Sequence, residues 1–193
     1  TAEMINAEGV AYADVEYRLL HTAMLQEIMR DCARALQFLR YNSKKYNLDK
    51  TRIGSYGESA GAGASLWLAT HDDLADPQAE DPVLRESSRL TAAAGFWVQA
   101  TYDVIQWPKI LDLPEEKTPY WKFVKFWKAM LSEKRFNELR KDLDMLANMD
   151  KDDPPMMFTN GTPDKGVHSQ RFVDALVKRA KEVNAKLTIS NDR

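Results

Sequence analysis

The chain has 193 residues, enough for one domain with a core of its own, and a single domain over 1–193 is expected. Hydrophobic residues make up 44%, charged residues 29%, and the formal net charge is -2. That balance excludes a nucleic-acid footprint, which needs clustered Lys and Arg, and no apolar run approaches the roughly 18 residues of a membrane span.

Gly9 to Tyr17, "GVAYADVEY", places Val10, Tyr12 and Val15 among small residues and predicts a short buried strand. Thr22 to Tyr46 predicts a long amphipathic helix. Leu25, Ile28, Met29, Cys32, Leu36 and Leu39 form its apolar stripe, and Gln26, Glu27, Arg30, Arg34 and Gln37 its wet face. Thr51 to Tyr56 reads as a strand, and Gly57 to Gly63 turns the chain into a helix carrying Leu66, Trp67 and Leu68. His71 to Ser88 reads as a polar loop, and Leu90 to Gln99 as a third strand candidate whose alanines also allow a helix.

A helical insertion follows. Tyr120, Phe123, Val124, Trp127, Met130 and Leu131 keep helical spacing after Pro119, and Phe136, Leu139, Leu143 and Leu146 continue it. Pro154 to Thr159, "PPMMFT", predicts a buried strand, Val167 to Val183 an amphipathic helix and Lys186 to Ser190 a last strand. Alternation of strands with helices predicts an α/β fold, a mostly parallel sheet flanked by helices.

The chemistry concentrates in Thr51 to Ser65, "TRIGSYGESAGAGAS". Within it Gly57-Glu58-Ser59-Ala60-Gly61 reads G-x-S-x-G, between an apolar strand and a helix. A serine hydroxyl needs a base to take its proton and donors to hold the oxyanion it creates. A sharp strand-to-helix turn exposes Ser59 at the carboxyl edge of the sheet and aims the Ala60 N–H at the same spot. Crowding in such a turn explains Gly57 and Gly61. A glycine-rich turn with a solvated serine is the plainer alternative.

"VEYRLL", then a helix, then "LDKTRIGSYGESAGAGASLWLA" resembles the alpha/beta-hydrolase esterase and lipase family, in particular carboxylesterases with a G-E-S-A-G elbow. "DPPMMFTNGTPD" resembles that family's later strand, which ends in a loop carrying the catalytic acid. The resemblance spans most of the chain. It implies Ser59 as nucleophile, Ala60 N–H in the oxyanion hole and Asp164 as the acid that orients a histidine. It implies ester hydrolysis with a small-molecule substrate and no metal or cofactor. Asp164 could instead cap the helix near Val167.

The resemblance places the family's histidine beyond Arg193 and its oxyanion loop ahead of Thr1. The chain is therefore expected to correspond to a carboxyl-side part of such a domain. Of its own histidines, His21, His71 and His168, the last is the best stand-in, four residues past Asp164. Asp103 to Asp150 is expected to form a helical lid. Trp107, Tyr120, Trp121, Phe123, Phe126 and Trp127 are dense there, with Lys117, Lys122, Lys125, Lys128, Lys134 and Arg135 between them. Ordinary core packing with a solvated lysine face is the competing reading.

Two further functional classes stay open at this stage. One is a non-catalytic, hydrolase-derived binding module. The other is completion in trans by a second copy or a complementing chain. Cys32 is the one cysteine, which excludes an internal disulfide and a cysteine metal site. It leans the expected compartment towards the cytoplasm, although a removed signal peptide would leave the same trace.

Overall fold

The computed structural model describes residues 2–159, 161 and 166–190. Asp164 lies outside them. The chain divides into two compact units, Thr1–Arg52 with Asp73–Ser88, and Ile53–Asp72 with Arg89–Arg193.

The first unit holds helices α1 (Ala2–Ala7), α2 (Leu25–Tyr41) and α3 (Ser43–Tyr46). On α2, Ile28, Met29, Cys32, Ala33 and Leu36 are buried as their spacing predicts. Its start is fixed by the Glu27 carboxylate, which accepts the Met24 N–H at 2.8 Å. The expected single helix breaks at Asn42, which leaves helical geometry at φ -93, ψ 12 and whose side chain donates to the Phe38 carbonyl at 2.9 Å beside its own backbone N–H at 3.0 Å. Gln37 is not on a wet face. It is 2% exposed, and its Nε2 donates to the Glu86 carbonyl at 2.8 Å and the Leu84 carbonyl at 3.3 Å. Arg40 is buried likewise, with Nη1 donating to the Ser87 carbonyl at 2.7 Å. These polar side chains satisfy carbonyls of the 73–88 segment, which has no strand or long helix to satisfy them.

The strand expected over Gly9 to Tyr17 does not form: residues 9–17 have no regular structure, and Val10, Tyr12 and Val15 are exposed. A strand exists by pairing its backbone, and among the described residues no strand pairs with this segment.

The second unit is built on four parallel strands in the order β1-β2-β3-β4. They are β1 (Gly54–Glu58), β2 (Ala92–Phe96), β3 (Met156–Thr159) and β4 (Leu187–Ser190). Its helices are α4 (Ala60–Thr70), α5 (Trp107–Leu111), α6 (Trp121–Met130), α7 (Glu133–Leu143), α8 (Met145–Asn148) and α9 (Gln170–Val183). This is the predicted α/β architecture, a parallel sheet flanked by helices and a partial alpha/beta-hydrolase fold.

The first helix after the sheet begins, α4, packs on β1, β2 and β3 and is buried over nearly its whole length, from Ala62 to Thr70. Such a helix must be apolar or small on every side, as "AGAGASLWLAT" is. Gly95 sets how closely it sits. A Cβ there would lie 2.6 Å from the Ala62 Cβ and 2.7 Å from the Gly57 carbonyl oxygen.

Helices α5 to α8 occupy the segment expected to be a lid. The aromatic cluster there divides. Trp107 and Trp127 are buried, and Trp107 meets Phe172 of α9 edge-on at 4.9 Å. Phe126 and Tyr120 are exposed, and so are Lys122, Lys125 and Lys128. Asp103, 4% exposed, anchors α7 through Arg140, whose Nε and Nη2 donate to the carboxylate at 3.1 and 3.0 Å.

Candidate active site

All four strands run the same way, so their carboxyl ends gather at one edge of the sheet, where open α/β sheets bind ligands. Ser59 stands there, directly after β1 and directly before α4. Its backbone is at φ 51, ψ -109, a conformation that L residues rarely adopt. Its N–H is held by the Phe96 carbonyl at 2.9 Å, at the end of β2.

The need for Gly57 follows from this turn. A Cβ on Gly57 would fall 2.6 Å from the Gly61 carbonyl oxygen and 2.7 Å from the Gly61 Cα. Gly61 itself departs from expectation, since a Cβ there would meet nothing within 4 Å. The crowding runs from position 57 into the backbone of position 61, not the reverse. Glu58 is exposed and pairs in register with Phe96.

A serine at a helix N-cap usually turns its oxygen onto the helix's free N–H groups. Ser59 makes no such bond. Its Oγ lies 2.8 Å from Nε2 of His168, 109 residues further along the chain. Its hydroxyl is directed onto the imidazole and not onto the helix.

His168 ends a 3-10 turn, Gly166–His168, that leads into α9. The cap of α9 is Ser169, whose hydroxyl accepts the Arg171 N–H at 3.3 Å. Behind the turn, the chain leaving β3 passes so close that a Cβ on Gly161 would sit 2.6 Å from the Gln170 nitrogen. Sequence spacing offered His168 only as a stand-in, because the contact with Ser59 is made by the topology and leaves no local signature.

The start of α4 lies directly beside Ser59. Ala60 is the first helical residue, so its N–H has no acceptor within the helix. It is exposed, beside Ser59. The carbonyl of Ala60 accepts the Tyr102 hydroxyl at 2.9 Å, which steadies this first turn. Tyr102 lies over Gly63, where any Cβ would collide with its ring. This support had no signal in the sequence.

The other histidines are placed elsewhere. His21 is exposed. His71 caps the end of α4, its ring tilted 37° against Trp67 with centroids 4.2 Å apart and Nε2 3.1 Å from the Asp142 carboxylate. Asp153, at the opposite end of β3 from the site, is 2% exposed, and burial pushes its carboxyl up to about 6. Cys32 is buried and its thiol is pushed up to about 12, again by burial. Among the described residues no cluster of three or more His, Cys, Asp or Glu suits a metal ion. No described helix is long and apolar enough to cross a membrane.

A parallel sheet with a strained serine at its strand-to-helix turn defines the alpha/beta-hydrolase class. Within it the chain belongs to the BD-FAE family, an alpha/beta-hydrolase esterase family whose model matches residues 1–176. Among solved structures it is similar to an acetyl ester-xyloside bifunctional hydrolase from Caldicellulosiruptor lactoaceticus, with a TM-score of 0.72 and 24% identity over 97% of this chain and 62% of that one. A truncated carbohydrate esterase from gut microbiota gives a TM-score of 0.64 and 20% identity over 90% of this chain and 62% of that one. The thermophilic esterase Est2 of Thermogutta terrifontis gives 0.62 and 19% over 90% of this chain and 56% of that one. The chain thus spans less than two thirds of each of these relatives. No curated protein matches it in sequence.

Proposed function

We propose that the chain carries the nucleophile site of a serine hydrolase that cleaves carboxylic esters through an acyl-enzyme on Ser59. The observation that carries this reading is the 2.8 Å contact between Ser59 Oγ and His168 Nε2, made from a strained turn. With its proton on Nδ1, His168 accepts the hydroxyl proton through Nε2 as Ser59 Oγ bonds to the ester carbonyl carbon. The carbonyl oxygen becomes an oxyanion and takes the Ala60 N–H. As the tetrahedral species collapses, the imidazolium returns its proton to the leaving alcohol oxygen. Water then repeats the cycle on the acyl-enzyme, with His168 again as base, and frees the acid and Ser59. None of these steps calls on a metal or cofactor.

Asp164 keeps its proposed role of orienting the histidine, on the strength of the resemblance of "NGTPD" to the family's acid loop. The segment 103–150 is proposed as the lid over the acyl group, with the exposed Phe126 and Tyr120 as the aromatic surface free to meet a substrate. A small-molecule ester is the proposed substrate, and the hydrolase named for acetyl ester and xyloside substrates supports short acyl groups on a carbohydrate. The test is hydrolysis of p-nitrophenyl acetate by the chain and by Ser59→Ala and Asp164→Asn. Turnover abolished by Ser59→Ala and strongly reduced by Asp164→Asn supports the assignment. Equal rates in all three chains refute it.

A further inference from the structure

A second strained residue stands beside the elbow. Trp97, the residue after β2, has φ 55. A bulky side chain rarely accepts that left-handed conformation, and it persists only where the surroundings enforce it. The residue just before it, Phe96, gives its carbonyl to the Ser59 N–H. The two outliers therefore sit at the ends of neighbouring strands, linked through the Phe96 carbonyl that accepts the Ser59 N–H one residue before Trp97.

The turn at Trp97 directs its indole onto His168. The ring centroids are 5.5 Å apart and the planes 27° from parallel, an offset stack. Two residues on, Gln99 is 4% exposed, and its Nε2 donates in two directions. One bond goes to the Val167 carbonyl at 3.0 Å, next to His168, and the other to the Trp97 carbonyl at 3.2 Å. A buried amide with both donors used is expensive to disturb. Gln99 thus ties the backbone that carries the indole to the backbone that carries the imidazole.

We propose that Trp97 and Gln99 are positioning residues that hold the His168 imidazole against Ser59. The proposal rests on the reading of Ser59 and His168 as nucleophile and base. The stack restricts swinging of the imidazole while its Nε2 edge meets Ser59 Oγ. The indole face also carries negative quadrupole charge and attracts the imidazolium that forms when Ser59 gives up its proton. That attraction is stronger in the transition state than in the resting state, which is the condition for raising kcat. Neither residue needs to touch the ester.

The test uses Trp97→Gly, Trp97→Phe and Gln99→Met in the full chain. Glycine takes positive φ freely, so Trp97→Gly removes the ring without asking the backbone to move. With p-nitrophenyl acetate, Trp97→Gly is expected to lower kcat by about 10- to 100-fold and Gln99→Met by about 10-fold, with KM unchanged within about two-fold. Trp97→Phe keeps a stacking ring and is expected to recover kcat to within about three-fold. A change carried by KM alone, or an unchanged kcat in Trp97→Gly, overturns the proposal. A second readout does not depend on turnover: the His168 Cε1–H and Cδ2–H proton resonances. The indole should shift them upfield in the starting chain, with release in Trp97→Gly, displacement in Gln99→Met and restoration in Trp97→Phe. Resonances that ignore both Trp97→Gly and Gln99→Met overturn the brace. If they move while His168→Ala leaves turnover intact, the brace stands as structure, its catalytic role is overturned, and the base assignment itself has failed.

Discussion

Replacing Gly57 by alanine drives a methyl group into the first turn of α4. The new Cβ would lie 2.6 Å from the Gly61 carbonyl oxygen and 2.7 Å from its Cα, where ordinary contact begins at 3.4 Å. The nearest atom, the Gly61 carbonyl carbon, would lie closer still, so backbone must retreat by about 1 Å, and no side chain is available to rotate away instead. Overpacking of this kind costs about 1–3 kcal/mol. The functional penalty is larger. The motion separates the elbow from the structure that holds His168, and misplacement by about 1 Å costs on the order of 100-fold in rate. Gly61→Ala is the internal control, since its Cβ meets nothing within 4 Å. As a helix substitution it should be neutral or stabilising by up to about 1 kcal/mol. Urea unfolding and p-nitrophenyl acetate hydrolysis measure both quantities. The reasoning fails if Gly57→Ala stays within about two-fold in rate and about 0.5 kcal/mol in stability. It fails equally if Gly61→Ala is the more damaging of the two.

Further outcomes follow from the buried charges. Arg140→Met leaves the Asp103 carboxylate, 4% exposed, without its bidentate partner and should cost about 3 kcal/mol in urea unfolding, partly recovered when Asp103→Leu is added. Asp153 carries a folded-state value near 6 against 3.8 in the unfolded chain, because burial disfavours its charge. The folded state then holds the proton more tightly, so stability falls as pH rises from about 4 to about 6, by at most about 3 kcal/mol. Asp153→Asn should flatten that decline and stabilise the chain at pH 8, as followed by thermal unfolding across pH. Cys32, buried and pushed up to about 12, should resist iodoacetamide in the folded chain and react on unfolding, as read by intact mass.

Features written in neighbouring residues were legible from the sequence. The elbow is local: its strand, its serine and the small residues of α4 lie in one run, and Gly57 is required by an atom four residues away. Strands β2, β3 and β4 were legible as short apolar runs, with ends that shifted by at most three residues. The Leu90 to Gln99 reading ran past its true end at Phe96, because nothing in "GFWVQ" announces a tryptophan at positive φ.

Where pairing decides, local pattern failed. Val10, Tyr12 and Val15 have strand-like character, yet residues 9–17 find no ladder among the described residues. Gln37 sits at a helical position that reads as solvent-facing, and it is buried because the carbonyls of the 73–88 segment converge on its amide. The proposed base had the same difficulty. His168 meets Ser59 only because β1 and the loop after β3 end at the same edge of one sheet, a relation 109 residues long.

The central claim is that Ser59 is an activated nucleophile and His168 its base. Intact-mass labelling of the 193-residue chain with a fluorophosphonate tests it most directly, because the probe reacts with an activated serine and largely ignores an idle one. The account predicts a single adduct, absent in Ser59→Ala and formed at least about 100-fold more slowly in His168→Ala. A folded chain that takes no adduct, or labels equally fast without His168, would contradict it.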